Sequence, residues 1–400
     1  MMRRVYMDAN ATTPLLPEVL EAMQPYFVER FGNASSVHSF GQQARGAVEQ
    51  ARIKVASLLH CRPAEIVFTS GGTESDNLAL FGATRPGDHL IATTIEHHAV
   101  LHAAEQLAKS GREVTFISVD DNGVVDPEDV RRALRPSTRL ISVMMANNET
   151  GAIQPVEAIA SIAASAGVQF HTDAVQAAGK MPMHIDKIGC NLLSISGHKI
   201  HAPQGTGVLF VRKDTKIEPL MYGGTHERQR RAGTENLAGI VGLGKAAEIA
   251  ARSLEDGSTQ QIASFRDRLQ NEILGRVADA GIHSVHVPRV PNTTNLWFDH
   301  LEGEALVISL DLKGLAVSGG SACASGASEP SHVLTAMRVP ADRARASLRF
   351  SLSKLTTAED VEYAIEIVPQ AVAKLRELSP FYHKNDTVPA NAGRIAIAQI

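Results

Sequence analysis

The sequence has only three cysteines in 400 residues, Cys61, Cys190 and Cys323, and none lies in a Cys-x-x-Cys pair. That excludes a disulfide framework and a zinc ribbon, and a reducing cytoplasm is the expected location. No stretch of eighteen uncharged apolar residues occurs, so no membrane-spanning helix is expected. The amino-terminal MMRRVYMDANATTP meets Asp8 and Asn10 before an apolar run of signal-peptide length can develop, so export is not expected either. Lysine and arginine never cluster beyond two or three residues, and the formal charge is −4. Neither nucleic acid nor an anionic membrane is an expected partner; small molecules and proteins are. There is no internal repeat, and no low-complexity segment apart from SGGSACASGAS, where Cys323 sits among Gly, Ala and Ser alone.

What is present is a chain that is 44% apolar and long enough for two folding units. Short β-rich runs at Ile66–Thr69, His89–Thr93, Val114–Val119, Arg139–Met145, Val168–Thr172, Leu192–Ile195 and Gly207–Val211 alternate with helical patterns. This predicts an α/β fold in which a mostly parallel sheet is sandwiched by helices. After Gly257 the pattern changes to a helix over Thr259–Ala278, an isolated strand around Thr294–Phe298 and a last helix opened by a capping box at Thr357–Asp360, kinked by Pro369. The expected division is a large domain over 15–257 and a smaller α+β domain from 1–14 and 258–400, with no assignable period after Ser379.

In such sheets ligands bind beyond the carboxyl ends of the strands. After the first strand, Gly71, Gly72 and Thr73 open a helix, a site for a phosphate or an ordinary cap made by Thr73 or Ser70. After the Val168–Thr172 strand stand Asp173 and Gln176; a carboxylate there calls for a cation, a protonated pyridine nitrogen or an arginine, unless it is a helix cap. Ser196-Gly-His-Lys199 follows the next strand, and a partly desolvated lysine is suited to a Schiff base. Together these are what a pyridoxal phosphate site needs. His97 could stack on a ring. His98 and His102, four apart, lack an acidic third ligand in register and the general base of a His-Glu-x-x-His motif, so no metal is expected. Cys61 and Cys190 have apolar flanks and read as buried, inert thiols. Cys323 has no apolar packing partner beside it, and its glycines predict a moving loop.

With these residues assembled, the chain resembles the pyridoxal-phosphate cysteine desulfurases, which share the class-V aminotransferase fold. The resemblance runs from about Val5 to Ser379 through YMDANATTP, FGNASSVHSFG, FTSGGTESDNLA, IEHHAV, MMANNETG, FHTDAVQAAGK, SGHKIHAPQGTGVLFVR, RRAGTEN, GGSACASGASEPSHVL and RASLRFSLS. HSFG, MMANNETGAIQP and HTDAVQAAGK are closer to the nitrogenase-associated NifS type than to the housekeeping type. Gly319, Ala324, Ala327 and Ser328 stand where members commonly carry Ser, Thr, Ser and Leu.

The resemblance implies that Lys199 carries the cofactor covalently, Asp173 pairs with its pyridine nitrogen, Gln176 bonds its ring hydroxyl and His97 stacks on it. Gly72 belongs to the phosphate cradle, and Thr73, Ser196 and His198 would hold the phosphate, with Thr234 reaching in from a second subunit of a homodimer. Asn148 and Arg349 would fix the carboxylate of L-cysteine, with a structural salt bridge as the alternative for Arg349. Cys323 would take the sulfur as a persulfide and pass it to an iron–sulfur scaffold or another acceptor protein, leaving L-alanine. A selenocysteine lyase, an aminotransferase of the same fold or a non-catalytic sulfur-relay scaffold are the other activities this sequence could encode.

Overall fold

Residues 3–319 and 330–379, with Tyr382, are described in the computed structural model of the chain. Its centre is a seven-stranded sheet in the order Ile66–Thr69, Gly207–Val211, Leu192–Ser196, Gln169–Asp173, Thr138–Ser142, His89–Thr93, Glu113–Ile117. Gly207–Val211 is antiparallel to both of its neighbours, and the other pairings are parallel. The expected runs are there with ends moved by a few residues. Val143–Met145, expected as strand, lies beyond Ser142 outside the ladder, although Met145 N still donates to Asp173 O at 2.8 Å.

Side chains of successive strand residues go to opposite faces, so neighbouring positions divide between two cores. Phe68, Ile91, Ile141, Leu193 and Phe210 belong to one, packed under helices Ser39–Leu59, Val156–Ser165 and Leu237–Glu255. Val67, Leu90, Leu140, Leu192 and Leu209 belong to the other, covered by helices Gly72–Ala83 and His98–Lys109. Burial on both faces accounts for the near-continuous apolar runs seen in the sequence.

A third core, around Met7, Leu296, Phe298, Leu348 and Phe350, lies under helices Ser258–Arg276 and Ala358–Leu378. The strand expected to be isolated, Thr293–Phe298, is instead internal to a four-stranded antiparallel sheet in the order Ser318–Gly319, Ser347–Ser351, Thr293–Phe298, Ala280–Ile282. Its partners are two to five residues long, too short to carry an alternating signal of their own. The amino-terminal Val5–Tyr6 joins this unit by pairing with Leu315–Ala316, and Asp8 bridges to Ser351.

The capping box at Thr357 forms as expected, with Thr357 Oγ1 accepting from Asp360 N. Pro369, expected to kink the final helix, lies inside the helix Ala358–Leu378 and does not end it. The missing proline N–H leaves Ile365 O without its intrahelical donor. Arg276 Nη1 reaches that carbonyl at 3.5 Å.

Candidate functional site

The carboxyl ends of six strands and the start of the antiparallel one meet along one sheet edge. There Gly207, paired with Thr69 and Ser196, packs directly on the Gly71 backbone: a Cβ on Gly207 would lie 2.6 Å from the Cα and carbonyl carbon of Gly71. A Cβ on Gly72 would meet Val175 Cγ2 at 2.9 Å and Ser196 Cβ at 3.4 Å. Glycine is therefore required for this close approach. The helix beginning at Gly72 has Gly71 as its cap residue and no side-chain cap, so the alternative of capping by Thr73 or Ser70 does not hold. Its first N–H groups, the exposed Thr73 hydroxyl and the buried Ser196 form a concave, positively polarised end that fits a phosphate.

Asp173 ends its strand 5% exposed, with Oδ1 accepting from Val175 N at 2.8 Å. Burial pushes its carboxyl up to about 6, against the pull of the Lys199 cation. A buried carboxyl so raised favours a cationic partner, and a protonated pyridine nitrogen fits that requirement. His97 caps the helix His98–Lys109, its Nδ1 accepting from Ala99 N at 3.1 Å. Burial, then Lys199 and the neighbouring histidines, lower its imidazole to about 4, so the ring is neutral near pH 7 and suited to stacking. The rings of His98, His102 and His332 pack together at centroid distances of 4.7 and 4.9 Å.

Lys199 lies in the single 3₁₀ turn Gly197–Lys199 after the strand Leu192–Ser196, and its Nζ donates to Asn10 O at 2.5 Å and Ala11 O at 2.7 Å. The amino-terminal segment fastens that turn from several sides. Thr13 N and Oγ1 both donate to His198 O, and His198 Nδ1 lies 3.0 Å from Thr12 Oγ1. Burial and the Lys199 charge lower His198 to about 4. Gln176 Nε2 donates to Asn10 O at 3.1 Å, and Gln176 Oε1 accepts from Lys180 Nζ at 2.7 Å.

Arg349, on the strand Ser347–Ser351, reaches the same edge from the other unit. It donates from Nη2 to Asp8 Oδ1 at 2.7 Å and from Nη1 to Asn148 O at 3.0 Å. The salt bridge exists, and the buried Arg349 Nε has no acceptor among the described residues. Gly72, Thr73, His97, Asn148, Asp173, Gln176, Ser196, His198 and Lys199 thus stand at the strand ends and the adjoining loops, and Arg349 meets them from the middle of its own strand through Asn148 O. Thr234 does not join them: it is exposed, in a recess with Asn33, Arg45, Glu49 and Arg228. Cys323 lies outside the described residues. Cys190 is fully buried, but Cys61 is only partly so, because it follows the end of the helix Ser39–Leu59 by two residues; burial pushes both thiols up to about 12.

The sequence assigned no role to Asp8, Asn10, Glu149 or Lys180. Asn10 is 2% exposed and is the most connected of them, with partners in both units. The signal was an Asp and an Asn set in a nine-residue stretch, YMDANATTP, with no period that would place them on a helix or a strand face.

Residues 5–364 match the family described as aminotransferase class-V. The chain is 46% identical to the cysteine desulfurase IscS of Dictyoglomus turgidum over 95% of its own length and 98% of that protein's. It is likewise 46% identical to the cysteine desulfurase NifS of Azotobacter vinelandii, over 97% of each chain. A solved structure of a NifS-like protein superimposes with a TM-score of 0.87 at 36% identity, covering 93% of this chain and all of the other.

Proposed function

The chain belongs to the class-V aminotransferase family, and from that premise we infer that it is a pyridoxal-phosphate-dependent cysteine desulfurase, which takes sulfur from L-cysteine and leaves L-alanine. One observation carries this reading beyond the family name. A lysine, a buried carboxyl in need of a cation and an uncapped glycine helix start converge on one sheet edge, opposite an arginine with an unused donor. Bound pyridoxal phosphate supplies an electron sink for charge developed at the substrate α-carbon.

The residues divide the remaining work. Gly72, Thr73, Ser196 and His198 hold the phosphate, and Lys199 carries the cofactor and, once released, is the amine that moves the α-proton. Asp173, as carboxylate, keeps the pyridine nitrogen protonated; the pairing brings its pKa down from the raised value set by burial. Arg349 and Asn148 orient the substrate carboxylate, the guanidinium through charge-assisted hydrogen bonds. Cys323, as thiolate, attacks the substrate sulfur: the new S–S bond forms as the substrate C–S bond breaks, and the electron pair of that bond returns to the carbon skeleton, which takes up protons to become alanine. The protein acts as a homodimer in which Thr234 completes the partner's phosphate site. Large side chains left in solvent near that recess, Phe31 at 58%, Val37 at 86% and Tyr222 at 84% exposure, support a covered face. The persulfide goes to an iron–sulfur scaffold or another acceptor protein in the cytoplasm.

The test is release of sulfide and alanine from L-cysteine with a thiol reductant. Equal amounts of both, with no α-keto acid formed, are expected. Pyruvate or transamination products without sulfide would favour an aminotransferase, and a colourless protein that binds no pyridoxal phosphate would favour a relay scaffold.

A further inference from the structure

We propose that Lys180 is a positioning residue for the cofactor: together with Asn10 it locks the side-chain amide of Gln176, so that an N–H rather than the carbonyl oxygen is presented to the cofactor's ring oxygen. The inference rests on the reading of the site given above. An amide has two ends of nearly equal shape and opposite function, so its orientation is set by partners that cannot exchange roles. Gln176 has such a partner at each end. Nε2 donates to the main-chain oxygen of Asn10 at 3.1 Å, an atom that can only accept. Oε1 accepts from Lys180 Nζ at 2.7 Å, and that nitrogen lies between two amide oxygens, to which it donates.

Asn10 is itself fixed. Its Nδ2 donates to the main-chain oxygen of Asn148 at 3.0 Å and to Thr293 Oγ1 at 2.9 Å, which leaves Oδ1 to accept from Asn292 Nδ2 at 3.0 Å and from Lys180 Nζ at 3.2 Å. Lys180 therefore bridges two acceptors whose orientations are both determined. Burial, then the nearby Lys199 and Arg349 charges, pull its pKa well below that of a free lysine, and the bridge needs only its N–H groups. Gln176 has two N–H groups, and Asn10 O takes one. The second is available to the ring oxygen, where a donor stabilises the oxyanion and weakens its hold on the proton of the Schiff-base nitrogen beside it. A carbonyl oxygen turned to the same place would do the reverse.

The experiment is a pH titration of the visible absorption of the cofactor-bound enzyme, wild type against Lys180→Met, Lys180→Arg, Gln176→Ala and the double variant Lys180→Met/Gln176→Ala, with thermal unfolding of each apo form as a control. Lys180→Met should keep the cofactor and move the titration midpoint up by about one pH unit, since a donor that stabilises the Schiff base's neutral form is lost. Lys180→Arg should return it most of the way, and the double variant should shift no further than Gln176→Ala alone. If Lys180→Met fails to fold, Lys180→Leu takes its place. A wild-type midpoint in the lysine variant, or additive shifts in the double variant, would overturn the proposal, the latter because Lys180 would then act without Gln176. Wild-type protein that binds no pyridoxal phosphate would overturn the reading of the site itself, a separate outcome.

Discussion

The strand-end half of the site and the segment His226–Thr234 are built on opposite terms. At the strand ends the functional groups follow largely buried strands, and tight approaches fall on glycines, Gly207 against the Gly71 backbone, Gly72 against Val175 and Gly197 against Thr206. In the other region three consecutive residues that are not glycine, Glu227, Arg228 and Gln229, hold φ between 44° and 66°. Such a run is costly and persists only where the surroundings impose it. Here they do: the buried Glu227 carboxylate is gripped by both Arg52 Nη atoms and by Phe68 N, each at 2.8 Å. Five residues after Gln229, Thr234 lies exposed. The first region gathers its groups on one sheet edge, whereas the second is a braced segment that leaves Thr234 in solvent, away from that edge.

The largest expected effect breaks the first region alone. Lys199→Ala removes the amine that carries the cofactor, so borohydride should no longer fix pyridoxal phosphate to the protein and alanine production should vanish, with thermal unfolding little changed. Substantial residual turnover would remove Lys199 from the centre of the site. The next breaks the separation of the two regions. Lys199→Ala subunits mixed and exchanged with Thr234→Val subunits should regain one intact site per heterodimer, about a quarter of wild-type activity at equal mixing. No recovery, with exchange shown independently, would mean that each site is built from one chain.

The brace itself is tested by Arg52→Met. Leaving the Glu227 charge buried without its partner should cost about 3–5 kcal/mol in urea unfolding. The same change at Arg85, whose side chain and Glu218 partner are 76% and 63% exposed, should cost under about 1 kcal/mol. Similar values for the two would mean the strained turn needs no clamp. The smallest effect concerns the strand ends. Burial raises Glu96 to about 8, with Thr93 Oγ1 and Met144 N as its hydrogen-bond donors. A carboxyl whose pKa is raised on folding binds its proton more tightly in the native state. Its contribution is therefore fully present below about pH 4.5 and is lost as pH rises towards 8. Glu96→Gln should accordingly gain on wild type across that window, by about 1 kcal/mol per pH unit. A gap independent of pH would show Glu96 to be ionised throughout.

The strand-end half was legible because burial on both sheet faces writes each strand as an apolar run, and the first polar residues after it, Thr73, Asp173 and Lys199, are then conspicuous. Asn10 and Lys180 were not, since their role comes from contacts between positions 170 residues apart and from a loop without periodicity. Arg349 was found only through resemblance; its strand is five residues long and its pairing with Thr293–Phe298 left no separate signal. Thr234 is a single hydroxyl in an exposed turn, and only the family resemblance suggested where it acts. Pro369 does not end the final helix, and the carbonyl it leaves unpaired is met by Arg276 from another helix.

The central claim, that sulfur leaves the substrate onto Cys323, is tested most directly by mass spectrometry of the Cys323 peptide after a single exposure to L-cysteine without reductant. The account predicts one added sulfur on that peptide and none on Cys61 or Cys190, whose thiols burial pushes up to about 12. Cys323→Ser should keep the bound cofactor and its cysteine-induced spectral change while losing turnover, because a serine hydroxyl is a far weaker nucleophile than a thiolate. Persulfide on Cys61 or Cys190, or full activity in Cys323→Ser, would contradict it.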